Sequence, residues 1–161
     1  MKIAIAQQNY HIGNFESNTR KIIEAVEAAK AKGMDLIVFS ELAVCGYPPR
    51  DFLEFDDFIK RSRAAVDEIA QHSSGIGILV GAPERNPVIE GKDLFNAAFF
   101  LFDKEVIGIA HKTLLPTYDV FDENRYFEPA YEWNVIEFKN ENQCFHCFTL
   151  CRMKAEGLTV G

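Results

Sequence analysis

Two rhythms of apolar residues run along this chain, and the change from one to the other sets out its elements. Residues 2–7 alternate as a short strand, and the turn-rich stretch 8–14 follows. From residue 15 to 32 the period becomes helical. Ile22, Ile23, Val26 and Ala29 fall on one face, Arg20, Glu24, Glu27 and Lys30 sit elsewhere, and Gly33 supplies a stop. Residues 35–39 form the next strand, so a strand, a one-sided helix and a second strand fit within forty residues as a β-α-β unit. Strands this continuously apolar predict a sheet covered by helices, an α/β layered fold.

The second half repeats the logic with more strands. Asp51 and Glu54 have capping-box spacing, and Phe58, Ile59, Ser62, Val66, Ile69 and Ala70 carry a second helix to about residue 72. Strands are predicted over 76–80 and 96–102, separated by a polar loop at 83–93, and Asp103-Lys104-Glu105 makes a tight hairpin into a strand over 106–110. No repeat or linker interrupts residues 1–138, which read as one domain. After Lys139 the periodicity is lost and three cysteines crowd together, so residues 139–161 read as a divergent tail, disordered or out of frame.

Bulk properties narrow the function. With 24 acidic against 17 basic residues the net charge is −7, which repels phosphate backbones and argues against nucleic acid and anionic lipid as partners. No signal peptide opens the chain and nowhere do 18 apolar residues run together, so a soluble, cytoplasmic protein without a membrane partner is expected. Four cysteines, one isolated and three clustered, do not make a disulfide framework. Cys144, Cys147 and Cys151 with His146 place three thiols in eight residues rather than in two spaced pairs, so no metal is expected.

The chemistry lies where strands end. The apolar run Leu36-Ile37-Val38-Phe39 closes on Ser40-Glu41, and the run 106–110 closes on His111-Lys112. A carboxylate and an ammonium on separate strand ends are two parts of a three-part site whose third part is a nucleophile. Glu41 lies within Ser-Glu-Leu-Ala-Val-Cys-Gly-Tyr-Pro-Pro-Arg-Asp, a strand start at residues 94–98 reads Leu-Phe-Asn-Ala-Ala, and Lys112 lies within the long stretch 111–129. In order and spacing these stretches resemble the nitrilase-type carbon-nitrogen hydrolases, and among them the glutamine-hydrolysing domain of glutamine-dependent NAD synthetases.

That resemblance implies part of an α-β-β-α sandwich and hydrolysis of the side-chain amide of glutamine to glutamate and ammonia. It implies Glu41 as the proton shuttle, a role that partial burial would favour, Lys112 as the cation facing the oxyanion, and Tyr47, Tyr118 and Phe121 as walls of the glutamine pocket. Glu123 is expected to hold either Lys112 or the amino group of the substrate. For the nucleophile Cys151 is nominated, although it is followed by Arg152-Met153 where the family has Glu-Asp. No cofactor is implied for the amidase chemistry; ATP would serve only a separate synthetase domain.

At 161 residues the chain lacks room for the second half of the sandwich or for that domain. A frameshift or early stop in a longer gene is the expected origin of both the tail and the length, and little or no glutaminase activity is expected of the chain alone. A sheet without its partner layer would leave an apolar face in water and favour homo-oligomers. Two alternatives stand beside the enzyme reading: a non-catalytic, self-associating remnant, and another nitrilase-type amidase acting on a small amide.

Overall fold

A computed structural model describes residues 1–88 and 90–130, together with the backbone of residues 135–140 and 143–148. Five strands form one sheet in the order β1-β2-β3-β4-β5: β1 (Ile3–Ala6), β2 (Leu36–Phe39), β3 (Gly77–Arg85), β4 (Leu94–Phe102) and β5 (Glu105–His111). β1, β2 and β3 run parallel, β4 returns antiparallel to β3, and β5 pairs antiparallel with β4. The parallel half requires crossovers, which helices α1 (Phe15–Ala31) and α2 (Asp56–Ala70) supply, while the antiparallel half needs only short turns. Asp103 and Lys104 both adopt positive φ, the conformation of a two-residue hairpin whose twist matches its strands.

Both helices lie against the same face. Ile22 and Val26 of α1 and Ile59 and Val66 of α2 share a core with Ile37, Ile78, Val80, Phe99 and Leu101 of the sheet. The opposite face carries Leu36, Val38, Leu79 and Phe100, and it opens toward the β1 edge, where Ile3 is 45% and Ile5 82% exposed. Among the described residues helices therefore cover one face and not both, because each crossover returns on the same side of the sheet. The backbone of β6 (Val135–Asn140) lies against β5 and pairs antiparallel with β7 (Gln143–Phe148), a hairpin that spans the 138/139 boundary drawn from composition.

Two local expectations need correction. Asp51 does not cap a helix: residues Arg50–Glu54 make a short 3-10 turn, α2 starts at Asp56, and the Asp51 carboxylate instead meets the Tyr126 hydroxyl and, at 3.2 Å, the Arg125 guanidinium. β3 also continues through Pro83 to Arg85. Its pairing with β2 ends at Leu79, so Pro83 sits on a stretch paired only with β4, where a residue without a donor is tolerated.

Candidate active site

Glu41 follows β2 on a turn that is anchored rather than loose. Leu42, Ala43, Val44 and Cys45 are all at most 1% exposed, so the four residues after the glutamate plug into the core. The Val44 amide donates to the Gly81 carbonyl at 3.2 Å, and the Gly46 amide closes the turn on the Leu42 carbonyl at 2.8 Å. Gly81 is glycine for a steric reason: a Cβ there would stand 2.4 Å from the Leu42 nitrogen and 3.1 Å from the Glu41 Cα. The bare backbone of β3 lets the turn that bears Glu41 lie directly on the sheet.

Lys112 is the residue after β5, and its main chain is fixed on both sides. Its amide donates to the Asn96 carbonyl at 2.8 Å, and its carbonyl accepts from the Ala130 amide at 3.1 Å. The side chain reaches Glu41 and Glu123 together, with Nζ 2.6 Å from Glu41 Oε1 and 2.8 Å from Glu123 Oε2. Glu123 opens the short helix α3 (Glu123–Tyr126) and is only 5% exposed, so its charge needs partners. It has three: Lys112, the Tyr47 hydroxyl, which donates to Oε1 at 3.1 Å, and the Asn96 amide, 3.4 Å from Oε2.

Burial pulls the Lys112 ammonium toward a lower pKa, but hydrogen bonds and charge from Glu123 and Glu41 outweigh it, and the group sits above the ordinary lysine value. Burial and the neighbouring Glu123 push the Tyr47 phenol well above its usual range, so it stays a neutral donor. The Glu41 side chain is 42% exposed, half-buried beside Lys112 and Asn96.

A cleft of about 260 Å³ opens beside Glu41 and Lys112 on the sheet face away from the helices. Its floor is a row of small residues, Gly81, Ala98 and Ala110, paired across β3, β4 and β5. The aromatic residues stand to one side. Tyr47 and Phe121 line a separate hollow of about 120 Å³ with Glu123, and Tyr118 meets Phe121 edge-on at 5.5 Å while remaining 68% exposed. Tyr47, Phe121 and Tyr118 thus form a continuous wall, with Glu123 between that wall and the cleft. His111 takes no part, because its ring stacks on Phe95 at 4.1 Å and binds Glu84.

Cys151 lies outside the described residues, and nothing is described of the side chains of Cys144 and Cys147. Cys45 is fully buried, its thiol pushed up to about 12 by desolvation, which makes it an inert core residue. Among the described residues no group of histidine, cysteine and carboxylate side chains could hold a metal ion, and no helix is long and apolar enough to cross a membrane. The residue that sequence reasoning overlooked is Asn96, 3% exposed and bonded to both glutamates. A polar residue inside an otherwise apolar strand was its available signal.

Residues 2–149 match the carbon-nitrogen hydrolase family. The chain belongs to that family. It is 38% identical over 140 residues to the glutamine-dependent NAD(+) synthetase of Thermotoga maritima, covering 87% of this chain and 24% of that protein. The corresponding Synechocystis protein is 40% identical over 142 residues, covering 86% and 25%. The chain therefore spans about a quarter of the length of the curated relatives it matches. Among solved structures, the glutamine-dependent NAD+ synthetase of Acinetobacter baumannii superposes with a TM-score of 0.79 at 35% identity, covering 89% of this chain and 26% of that one. An amidase from Nesterenkonia sp. shares the fold alone, with a TM-score of 0.73 at 20% identity, covering 91% and 54%. The five-stranded layer with its one-sided helices is thus a nitrilase-like fold.

Proposed function

We propose that this chain carries the acid and the cation of a glutamine-hydrolysing site of the kind that feeds ammonia to NAD synthesis. The observation that carries the reading is the Lys112 ammonium held between two carboxylates, 2.6 Å from Glu41 and 2.8 Å from Glu123, at the rim of an open cleft. The relatives that match most of this chain are glutamine-dependent, which favours glutamine over simpler amides as substrate.

In this reading a cysteine thiol, assigned to Cys151, gives its proton to Glu41 as sulfur attacks the carboxamide carbon. The carbonyl oxygen takes the displaced electron pair, and Lys112 faces that developing negative charge. Collapse breaks the C–N bond while Glu41 returns the proton to nitrogen, so ammonia leaves and a thioester remains. Water then adds to the thioester with Glu41 as base, and the C–S bond breaks to give glutamate and the free thiol. Glu123, buried and bonded to Lys112, holds the ammonium in place. Proton transfer and one fixed charge suffice, so the step draws on no cofactor. A reduced thiol as nucleophile fits a cytoplasmic setting.

The test is a chimera in which residues 1–130 replace the matching segment of a full-length glutamine-dependent NAD synthetase. Glutamine-dependent ammonia release is expected, with Glu41→Ala or Lys112→Ala lowering it by at least about a hundredfold. Release that survives Glu41→Ala, or hydrolysis of simple amides but not of glutamine, would contradict the reading. The 161-residue chain by itself is expected to release little or no ammonia.

A further inference from the structure

We propose that Asn96 is a positioning residue for Glu41, holding one carboxylate oxygen so that proton transfer runs through the other. This inference rests on the assignment of Glu41 as the proton shuttle. Asn96 Nδ2 lies 2.5 Å from Glu41 Oε1 and 3.4 Å from Glu123 Oε2. Lys112 Nζ contacts the same two oxygens from the other side. The four side chains therefore close a ring in which donors and acceptors alternate: Glu41 carboxylate, Lys112 ammonium, Glu123 carboxylate, Asn96 amide.

The residue type follows from what such a ring requires. Two carboxylates and one ammonium leave one negative charge, and the fourth member must donate two N–H groups without adding charge. A second lysine would neutralise the base, and an aspartate would set a third carboxylate against two others. An amide donates both protons and remains neutral. Flanking carboxylates also settle the orientation of the amide, because a carbonyl turned toward either would meet an acceptor with an acceptor.

The position follows from strand register. Asn96 pairs with Pro83 at the end of β4 that lies beside the Glu41 turn, and its own carbonyl accepts the Lys112 amide. One residue thus fixes the main chain of the cation and the side chain of the acid. Glu41 Oε1 receives two donors, whereas Oε2 receives none from another described residue, which leaves Oε2 as the atom free to take a proton.

The test uses the 161-residue chain and needs no turnover. Nitrogen-15 NMR of the Asn96 side-chain amide is expected to show proton exchange slowed at least about tenfold relative to exposed asparagines, the worth of one charge-assisted hydrogen bond. Glu41→Gln, at a half-exposed position, is expected to weaken the slowing for one of the two protons and shift its resonance, because a neutral amide oxygen is a poorer acceptor than a carboxylate. The isosteric Asn96→Asp variant adds a pH readout. Glu41, Lys112, Glu123 and Tyr47 are the titratable groups around it, and its thermal midpoint relative to parent is expected to recover as acid protonates the new carboxyl and restores a donor. Amide protons indifferent to Glu41→Gln, or an Asn96→Asp deficit that is flat with pH, would overturn the inference. A failed chimera assay would leave these readouts intact, and failure here would leave the glutamine reading standing.

Discussion

The two faces of the five-stranded sheet have opposite standing. On one, Ile37, Ile78, Val80, Phe99 and Leu101 lie sealed beneath α1 and α2, each at most 2% exposed. On the other, apolar side chains equally suited to burial end in open water at the β1 edge, with Ile5 82% exposed. The first face has what it needs from its own chain. The second is the face onto which the Glu41–Lys112 cleft opens. Stability and chemistry are thus divided between opposite sides of one sheet, and substitutions on each should register differently.

The sharpest contrast comes from the sealed face. Phe99→Ala is expected to cost about 4 kcal/mol in chemical denaturation, since a fully buried ring leaves a cavity that neighbouring strands cannot close. At the cleft rim, Lys112→Met is expected to cost about 3 kcal/mol, because it strands the Glu123 carboxylate at 5% exposure without its cation. A loss under about 0.5 kcal/mol would show that the ammonium is not the partner of Glu123. Gly81→Ala should cost about 2 kcal/mol, with chemical-shift changes concentrated at Glu41 and Leu42, whose backbone a methyl group would displace.

Much of this division is legible in the residues, and the limits are physical. The 3.6-residue period of Ile22, Val26 and Ala29 marks α1 and its buried face, and the structure places it at Phe15–Ala31. Glu41 and Lys112 are legible through family motifs alone, because a charge directly after an apolar strand is by itself usually no more than a solvated end. Asn96 escapes notice because its meaning comes from strand register, which brings it between two residues 55 and 27 positions away. The buried plug Leu42–Cys45 has no periodicity at all, and only the missing side chain of Gly81 makes room for it. Covering of one face rather than two is likewise a property of crossover handedness, not of any apolar run.

Alkaline titration gives a gentler probe of the sealed side. Burial raises the Cys45 thiol from 9.0 to about 12 in the folded chain. The unfolded thiol ionises first, so folding stability is expected to fall between pH 9 and pH 12 by up to about 1.4 kcal/mol per unit from this residue. Tyr10, raised by burial to about 12, adds a slope of the same sign. Cys45→Ala should remove the cysteine share of that slope while leaving the tyrosine share, and an unchanged slope would argue against a buried thiol. Smallest of all, Ile5→Thr is expected to change stability by less than about 0.5 kcal/mol, because the isoleucine already stands in water. If the open face joins copies of the chain, the same variant delays elution in size-exclusion chromatography; identical elution of both forms speaks against such association.

The central claim is that one ammonium is shared by two carboxylates at the rim of the cleft, and direct titration of Lys112 Nζ by nitrogen-15 NMR tests it. The account predicts a midpoint above the ordinary lysine value of 10.5 that falls in both Glu41→Gln and Glu123→Gln. A midpoint at or below that value in the parent chain, unmoved by either substitution, would contradict it.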